Sequence, residues 1–149
     1  MHYYLKDYQT ALQYYERYLK MKALYKMDLY STEDLKIAIV LDKLGQHGRA
    51  AEFAQRFREH AEKHTTMYKH LLIGSYYAYK KENKKALEHL KLFSNENDFQ
   101  YWILLMDTEP LFENIKDDPE FKQVMRVINK KFQDTHEELK FMLEQSSLP

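Results

Sequence analysis

Two histidines four residues apart, His60 and His64, have the residue type and spacing of metal ligands. On a helix, side chains at positions i and i+4 share a face, so both imidazoles could reach one ion. A closed zinc site takes four ligands, and the sequence shows no third ligand beside this pair. We therefore expect a solvated helix face here, with no metal and no other cofactor.

Pairs of acids could support general acid–base chemistry, and two such pairs are Glu33 with Asp34 and Asp117 with Asp118. Both precede segments with helical spacing, where carboxylates interact favourably with the positive end of the helix dipole. The chain has no cysteine, no phosphate-binding glycine loop and no serine nucleophile elbow. The sequence therefore predicts helix starts at these acids, no catalytic residues and no enzyme.

Lysine clusters could indicate a nucleic-acid site, which needs a basic surface that acids do not offset. The chain has 23 basic and 23 acidic residues, so its formal charge is zero, and acids lie near both clusters. We expect the lysines to serve solubility, without direct contact between this segment and nucleic acid. The clusters are Lys80, Lys81, Lys84 and Lys85, and then Lys130 and Lys131.

The elements that position these residues are predicted to be helices. Three glycines and three prolines in 149 residues leave few turn residues for β-hairpins, and apolar residues recur at spacings of three and four. The length suits one domain with its own core. Without a signal sequence or a long apolar run, we expect no membrane partner, and the absence of cysteine favours a reducing compartment, the cytoplasm.

Helix boundaries follow from caps and glycines. The first helix is predicted over 7–28; Ser31 then caps a second that ends before Gly45, and a third follows Gly48 towards His64. Thr65 and Thr66 precede a helix over 68–79, and another contains residues 86–93.

In the C-terminal part, residues 99–106 are predicted to form a short apolar helix, and Pro110 and Pro119 stand at first helical positions. The apolar side of the last helix is formed by Phe121, Val124, Met125, Ile128, Phe132, Leu139 and Leu143; residues 145–149 should fray.

Two helical hairpins within the chain superpose in sequence. One has His70, Ile73, Gly74 and Tyr77, with Ala86 nine residues later and then Leu90; the other has Asp34, Ile37, Ala38 and Leu41, with Ala50 nine residues later and then Ala54. The same frame recurs as His2, Ala11 and Tyr15. Small residues at matching positions let two helices approach closely. The pattern predicts contact of Gly74 with Ala86 and of Ala38 with Ala50.

This pattern resembles the tetratricopeptide repeat family over about residues 1–94, about two and a half repeats. His70 stands where the family has Trp, and we expect it to pack. The resemblance implies an all-α fold, a right-handed α–α superhelix of helical hairpins with a C-terminal capping helix. Residues 1–149 then form one domain, with a partial repeat at 1–30, repeats at 31–65 and 66–97, and a C-terminal capping segment at 98–149.

The C-terminal stretch 109–121 is similar to the closing region of tetratricopeptide domains in bacterial multidomain proteins, including regulators with a separate helix-turn-helix domain. Met1 aligns with the middle of a first helix. We therefore expect this chain to be a fragment of a larger protein.

In this family the inner face of the solenoid binds partners. The resemblance places eight residues there: Thr32, Leu35, Ile39, Asp42, Tyr68, Leu71, Ser75 and Tyr79. The basic and amide residues that clamp a carboxylate terminus in some members are missing, so an apolar peptide or helix held by tyrosine and leucine fits better. The alternative is that these residues pack against a neighbouring helix or the terminal segment.

The leading hypothesis is a non-catalytic module that binds a protein, a peptide or another domain of its parent protein. The alternative is the sensing or dimerising portion of a transcriptional regulator whose DNA-binding domain lies outside this chain. A second copy of this chain, in a homodimer, is then a possible partner. The identity of the partner does not follow from the sequence.

Overall fold

The computed structural model describes residues 1–26 and 31–146. All regular structure in these two ranges is helical, which confirms the all-α prediction. The α-helices are α1 (Tyr8–Leu24), α2 (Asp34–Lys43), α3 (His47–Lys63), α4 (Lys69–Tyr79), α5 (Asn83–Phe93) and α6 (Pro119–Ser146). Three 3₁₀ helices, Ser31–Glu33, Tyr101–Thr108 and Pro110–Phe112, complete the order. Among the described helices, none combines the length and apolar character that a bilayer crossing requires.

Several predicted boundaries shift by a few residues. The described part of the first helix ends at Leu24, and predicted residues 27 and 28 lie outside the described ranges. The prediction that Ser31 caps the second helix is wrong, because residues 31–33 form a 3₁₀ turn and α2 begins at Asp34 without a side-chain cap. Gly48 lies inside the first turn of α3 and not before it. The Thr66 hydroxyl accepts a hydrogen bond from the N–H of Tyr68 at 3.3 Å. The prediction that Thr65 or Thr66 caps the next helix is nevertheless wrong, because α4 begins at Lys69 without a side-chain cap.

The same tight turn occurs before α1, α3 and α5. In each case one residue has a positive φ, and the next N–H reaches back five residues to a carbonyl, which satisfies helix-end groups in a Schellman arrangement. The residues with positive φ are Lys6, Gly45 and Lys81. The N–H to carbonyl distances are 3.0 Å from Asp7 to His2, 2.8 Å from Gln46 to Leu41 and 2.9 Å from Glu82 to Tyr77. The turns therefore recur in the register that the sequence repeat indicated.

Glycine suits this turn and lysine does not, which gives a test by substitution. Lys81→Gly is expected to raise the free energy of unfolding by about 1 kcal/mol, because an L side chain is strained at positive φ. Gly45→Ala is expected to lower it by about 1 kcal/mol for the same reason, and an added Cβ there meets nothing within 4 Å. Urea unfolding of both variants measures the effects, and shifts of the same sign would contradict the account.

The helices of a hairpin approach most closely where the sequence has its smallest residues. A Cβ added to Gly74 would lie 3.1 Å from Leu90 and 3.2 Å from the carbonyl oxygen of Ala86, which confirms the predicted contact. Ala38 and Ala50 are both fully buried in one apolar cluster. Small side chains at these positions therefore set the distance between paired helices.

The closing segment, residues 101–118, folds back against α4 and becomes part of the core. Ile103, Met106, Phe112 and Ile115 are buried in one cluster with α5 and α6. The segment also reaches the N-terminal turn, because Lys6 and Glu113 form an ion pair at 2.7 Å. It is therefore an integral layer of the fold. The short helix predicted over 99–106 is the 3₁₀ helix at 101–108.

Helix α6 begins at Pro119, as predicted, and Asp118 caps it by accepting a hydrogen bond from the N–H of Glu120 at 2.8 Å. Its buried residues end at Ile128. Leu139 and Leu143 were predicted on the core side, but they are 51% and 67% exposed. The reason is length: the helix continues past the last residues that it can pack against.

Candidate functional site

The eight residues predicted for the inner face line two neighbouring cavities. A larger cavity of about 700 Å³ is lined by Thr32, Leu35, Tyr68, Leu71 and Ser75 among others. A smaller cavity of about 530 Å³ is lined by Ile39, Asp42 and Tyr79. The predicted residues therefore divide between two cavities along α2, α4 and the turns that precede these helices.

Leu111 of the closing segment lies at the boundary between the two cavities and lines both. It packs against all three apolar clusters of the described core. Asn114 holds the segment to α4 and α5, since its side-chain amide donates to the carbonyl of Ala78 at 3.3 Å and to Asn83 Oδ1 at 2.7 Å. In the middle of the predicted face, therefore, the closing segment packs against it, which is the alternative stated in the sequence analysis.

The outer wall of the larger cavity comes from the 3₁₀ helix at 101–108. Residues three apart eclipse in a 3₁₀ helix, so Trp102, Leu105 and Thr108 share one side, and all three line the cavity. Trp102 is 50% exposed, and its ring lies 5.6 Å from that of Tyr68. Two adjacent aromatic rings therefore stand at the rim of an apolar cavity.

The opposite end of the larger cavity is polar. Glu109 accepts a hydrogen bond from the Tyr4 hydroxyl at 2.8 Å, and Lys36 lies 3.4 Å from Glu33. Burial alone would lower the pKa of Lys36, but Glu33 and Glu109 outweigh it and raise that pKa above its usual value. Burial and the hydrogen bond to Glu109 raise the pKa of Tyr4. The lysine is therefore held charged and the tyrosine neutral.

Two polar atoms beside this end lack a hydrogen bond of ordinary geometry: the buried hydroxyl of Tyr3 and Oε1 of Glu109. Burial is the main cause that raises the pKa of Tyr3, and the negative charge of Glu109 raises it further. The Tyr3 hydroxyl therefore stays protonated.

The smaller cavity is lined by the carboxylate of Asp42. Asp42 accepts a short hydrogen bond from the Tyr79 hydroxyl and lies 2.9 Å from Nδ1 of His47. Burial and this bond to Asp42 raise the pKa of Tyr79. Three of the polar side chains of this cavity, Asp42, His47 and Tyr79, therefore interact with one another.

The histidine pair His60 and His64 has ring centroids 5.2 Å apart, but His64 Nε2 lies 2.8 Å from the Thr66 hydroxyl. In residues 1–26 and 31–146, no three side chains of the types that ligate metals come together.

His70 packs as expected: its ring stacks on His89, with the two Nδ1 atoms 3.1 Å apart. A hydrogen bond between these atoms needs one ring nitrogen as donor and the other as acceptor. Burial, and to a smaller extent the neighbouring His70, lowers the pKa of His89.

The acid pairs differ from each other. Asp118 caps α6, as predicted. Asp34 lies in the first turn of α2, as predicted, but it is also buried and forms an ion pair with Arg56 at 3.2 Å. Burial raises the pKa of Asp34 in spite of Arg56. Of the two cavities described above, the larger is lined by Glu33 but not by Asp34, and neither is lined by Asp117 or Asp118.

Sequence reasoning missed the lining residues of the larger cavity that come from outside the two repeats, and it also missed Lys36 within the repeat at 31–65. The residues from outside are Tyr4, Trp102, Leu105, Met106, Thr108, Glu109, Leu111 and Phe112. A signal for some of them was present, since Trp102 and Leu105 lie three apart in a segment that was predicted to be apolar. Family models, curated proteins and solved structures were each compared with this chain, and none of them matches it.

Proposed function

We propose that this chain is a non-catalytic binding module of the tetratricopeptide type, a right-handed array of helical hairpins, that holds an apolar segment of a protein or peptide in the larger cavity. The observation that carries the proposal is the cavity itself, about 700 Å³ with an apolar wall, an aromatic rim and a polar end. Its volume lies in the range of pockets that bind ligands, about 300–1,000 Å³.

The recurring turn supports the hairpin part of the proposal. Its positive-φ residues, Lys6, Gly45 and Lys81, are 39 and 36 residues apart, close to the family's repeat of about 34 residues. Each of these residues is followed five positions later by a buried alanine, at Ala11, Ala50 and Ala86. Repetition of one backbone turn with one small residue is what stacked hairpins require.

The chemistry of the lining supports an apolar ligand with a polar end. Leu35, Leu71 and Phe57 form the floor of the cavity, and Tyr68 with Trp102 offers large rigid rings at the rim. Aromatic rings of this kind are the side chains that most often anchor a bound protein segment. At the far end, Lys36 and Glu109 can bond the polar backbone of a bound segment.

The pKa shifts support a non-catalytic role. A nucleophilic lysine needs a lowered pKa, and a tyrosine that acts as a base needs the same. The pKa values of Lys36 and Tyr4 are both raised. The titratable groups at the polar end are therefore set to hold charge and hydrogen bonds in place.

Filling the cavity tests the proposal. Ser75 lines the cavity and is 8% exposed, so Ser75→Leu is expected to occupy part of the space and to reduce binding at least about tenfold. The probe is a phage-displayed library of random peptides, selected on the immobilised chain and then titrated as synthetic peptides. Trp102→Ala should weaken the same peptides, because it removes half of the aromatic rim.

Gln13→Leu is the matched control, since it adds the same side chain at an exposed position of α1 that lines neither cavity. It should bind as the natural chain does. If Ser75→Leu keeps full affinity for the selected peptides while its circular dichroism is unchanged, the cavity is not the binding site.

A further inference from the structure

We propose that the distal half of α6, residues 129–146, pairs antiparallel with the same segment of a second copy of this chain. This surface is separate from the two cavities. The segment has 18 residues and a length of about 27 Å, and none of its residues is buried. A helix that carries large apolar side chains into water is poorly stabilised alone and indicates a contact surface.

The exposed apolar residues of this segment form one stripe. At about 3.6 residues per turn, Phe132, Leu139 and Leu143 fall on one face, which continues the buried face of the first half of α6. Met142 lies at the edge of the same face, and Phe141 lies on the opposite side. Tyr101 is 66% exposed, and its ring lies 6.3 Å from that of Phe132, which extends the stripe beyond the helix.

The charges of α6 identify a second copy as the occupant. The stretch 122–131 carries only basic charges, whereas 134–146 is mainly acidic. The basic residues are Lys122, Arg126, Lys130 and Lys131; the acidic ones are Asp134, Glu137, Glu138 and Glu144, with Lys140 among them. The acidic end opposes the helix dipole, which favours bases at the end of a helix, and the last turn of α6 carries no base. An antiparallel pair reverses the effect, because each acidic end then faces the basic half of the other helix and the two dipoles oppose.

One register satisfies both the stripe and the charges. When Phe132 of one copy lies opposite Leu139 of the other, Leu143 lies at the level of Ile128. Because Ile128 is itself buried, the exposed ring of Tyr101 beside Phe132 is the apolar surface that Leu143 can contact. Lys131 then lies beside Glu138 of the other copy. Lys131 is already held by the carbonyls of Asn95 and Glu96, both at 2.8 Å, and an ammonium group has three donors, so one remains for Glu138.

Sedimentation equilibrium of the whole chain tests the pairing. We expect a monomer–dimer equilibrium with a dissociation constant on the order of 10 µM, since the surface is small. Leu139→Glu should weaken it at least about tenfold, because it puts a charge in the apolar contact. Phe141→Glu is the matched control on the opposite face and should leave the constant unchanged. Glu138→Lys should weaken the dimer about threefold.

A second variant guards against local unfolding: if Leu139→Glu loses helical circular dichroism, Leu143→Glu takes its place. A natural chain that stays monomeric at about 100 µM would overturn the proposal. Equal weakening by Leu139→Glu and Phe141→Glu would overturn it as well, because the contact would then not follow the stripe.

Discussion

Replacing Gly74 with valine should lower the free energy of unfolding by about 3 kcal/mol. The added Cβ alone would lie 3.1 Å from Leu90 and 3.2 Å from the backbone carbonyl of Ala86. The carbonyl belongs to α5 and cannot rotate away, so the two helices of the hairpin must separate. Separation opens gaps around Leu90 and Phe93, both of which are fully buried. Denaturant unfolding followed by circular dichroism measures the loss.

Gly48→Val is the control for Gly74→Val. Gly48 is also a helical glycine, but a Cβ there meets nothing within 4 Å. Its substitution should change stability by less than about 1 kcal/mol, since it alters helix propensity without a clash. Equal losses for the two variants would mean that close approach at Gly74 does not hold the hairpin together.

Phe121→Ala should lower the free energy of unfolding by about 3–5 kcal/mol. The Phe121 ring is 1% exposed and lies 5.6 Å from that of Phe112, so truncation leaves a cavity between α6 and the closing segment. The loss is a large fraction of the total stability of a domain of this size, about 5–15 kcal/mol. Thermal and urea unfolding at sub-micromolar protein concentration, where chains are separate, provide the measurement.

Phe141→Ala gives the comparison within the same helix. Phe141 is 62% exposed, so its truncation should change stability by no more than about 0.5 kcal/mol. The difference between Phe121→Ala and Phe141→Ala distinguishes the two halves of α6. The first half is part of the core, whereas the second half is exposed to solvent. A large loss at Phe141 would show that the second half contributes to the monomer's stability, against this assignment.

The packing of the closing segment limits how the proposed binding face can work. The closing segment contributes Trp102 and Leu111 to the walls of the cavities and also places Ile103, Phe112 and Ile115 in the core. It therefore cannot leave the face without unfolding the last layer of the domain. A ligand of the larger cavity must enter between the aromatic rim and the polar end, and the closing segment stays in place.

The all-α class and the order of the helices followed from the sequence alone. Apolar spacing of three and four residues is a local property, and so is the position of proline at the start of α6. The close contact at Gly74 was also predictable, because a small residue repeated at one position of two hairpins has a packing reason. The turn at Gly45 belongs to the same group, since glycine is the usual residue at a helix end with positive φ, but the same turn at Lys6 and Lys81 has no such signal in the sequence.

Tertiary structure alone decided what became of the predicted inner face. Thr32 and Leu71 share a cavity with Trp102 and Glu109, which lie more than 30 residues further along the chain, and no local spacing relates them. Leu111 divides the face because the closing segment folds back over α4, a contact between elements distant in sequence. The exposure of Leu139 is of the same kind: a helical stripe shows which side is apolar, but only the extent of the neighbouring elements determines how much of it is covered.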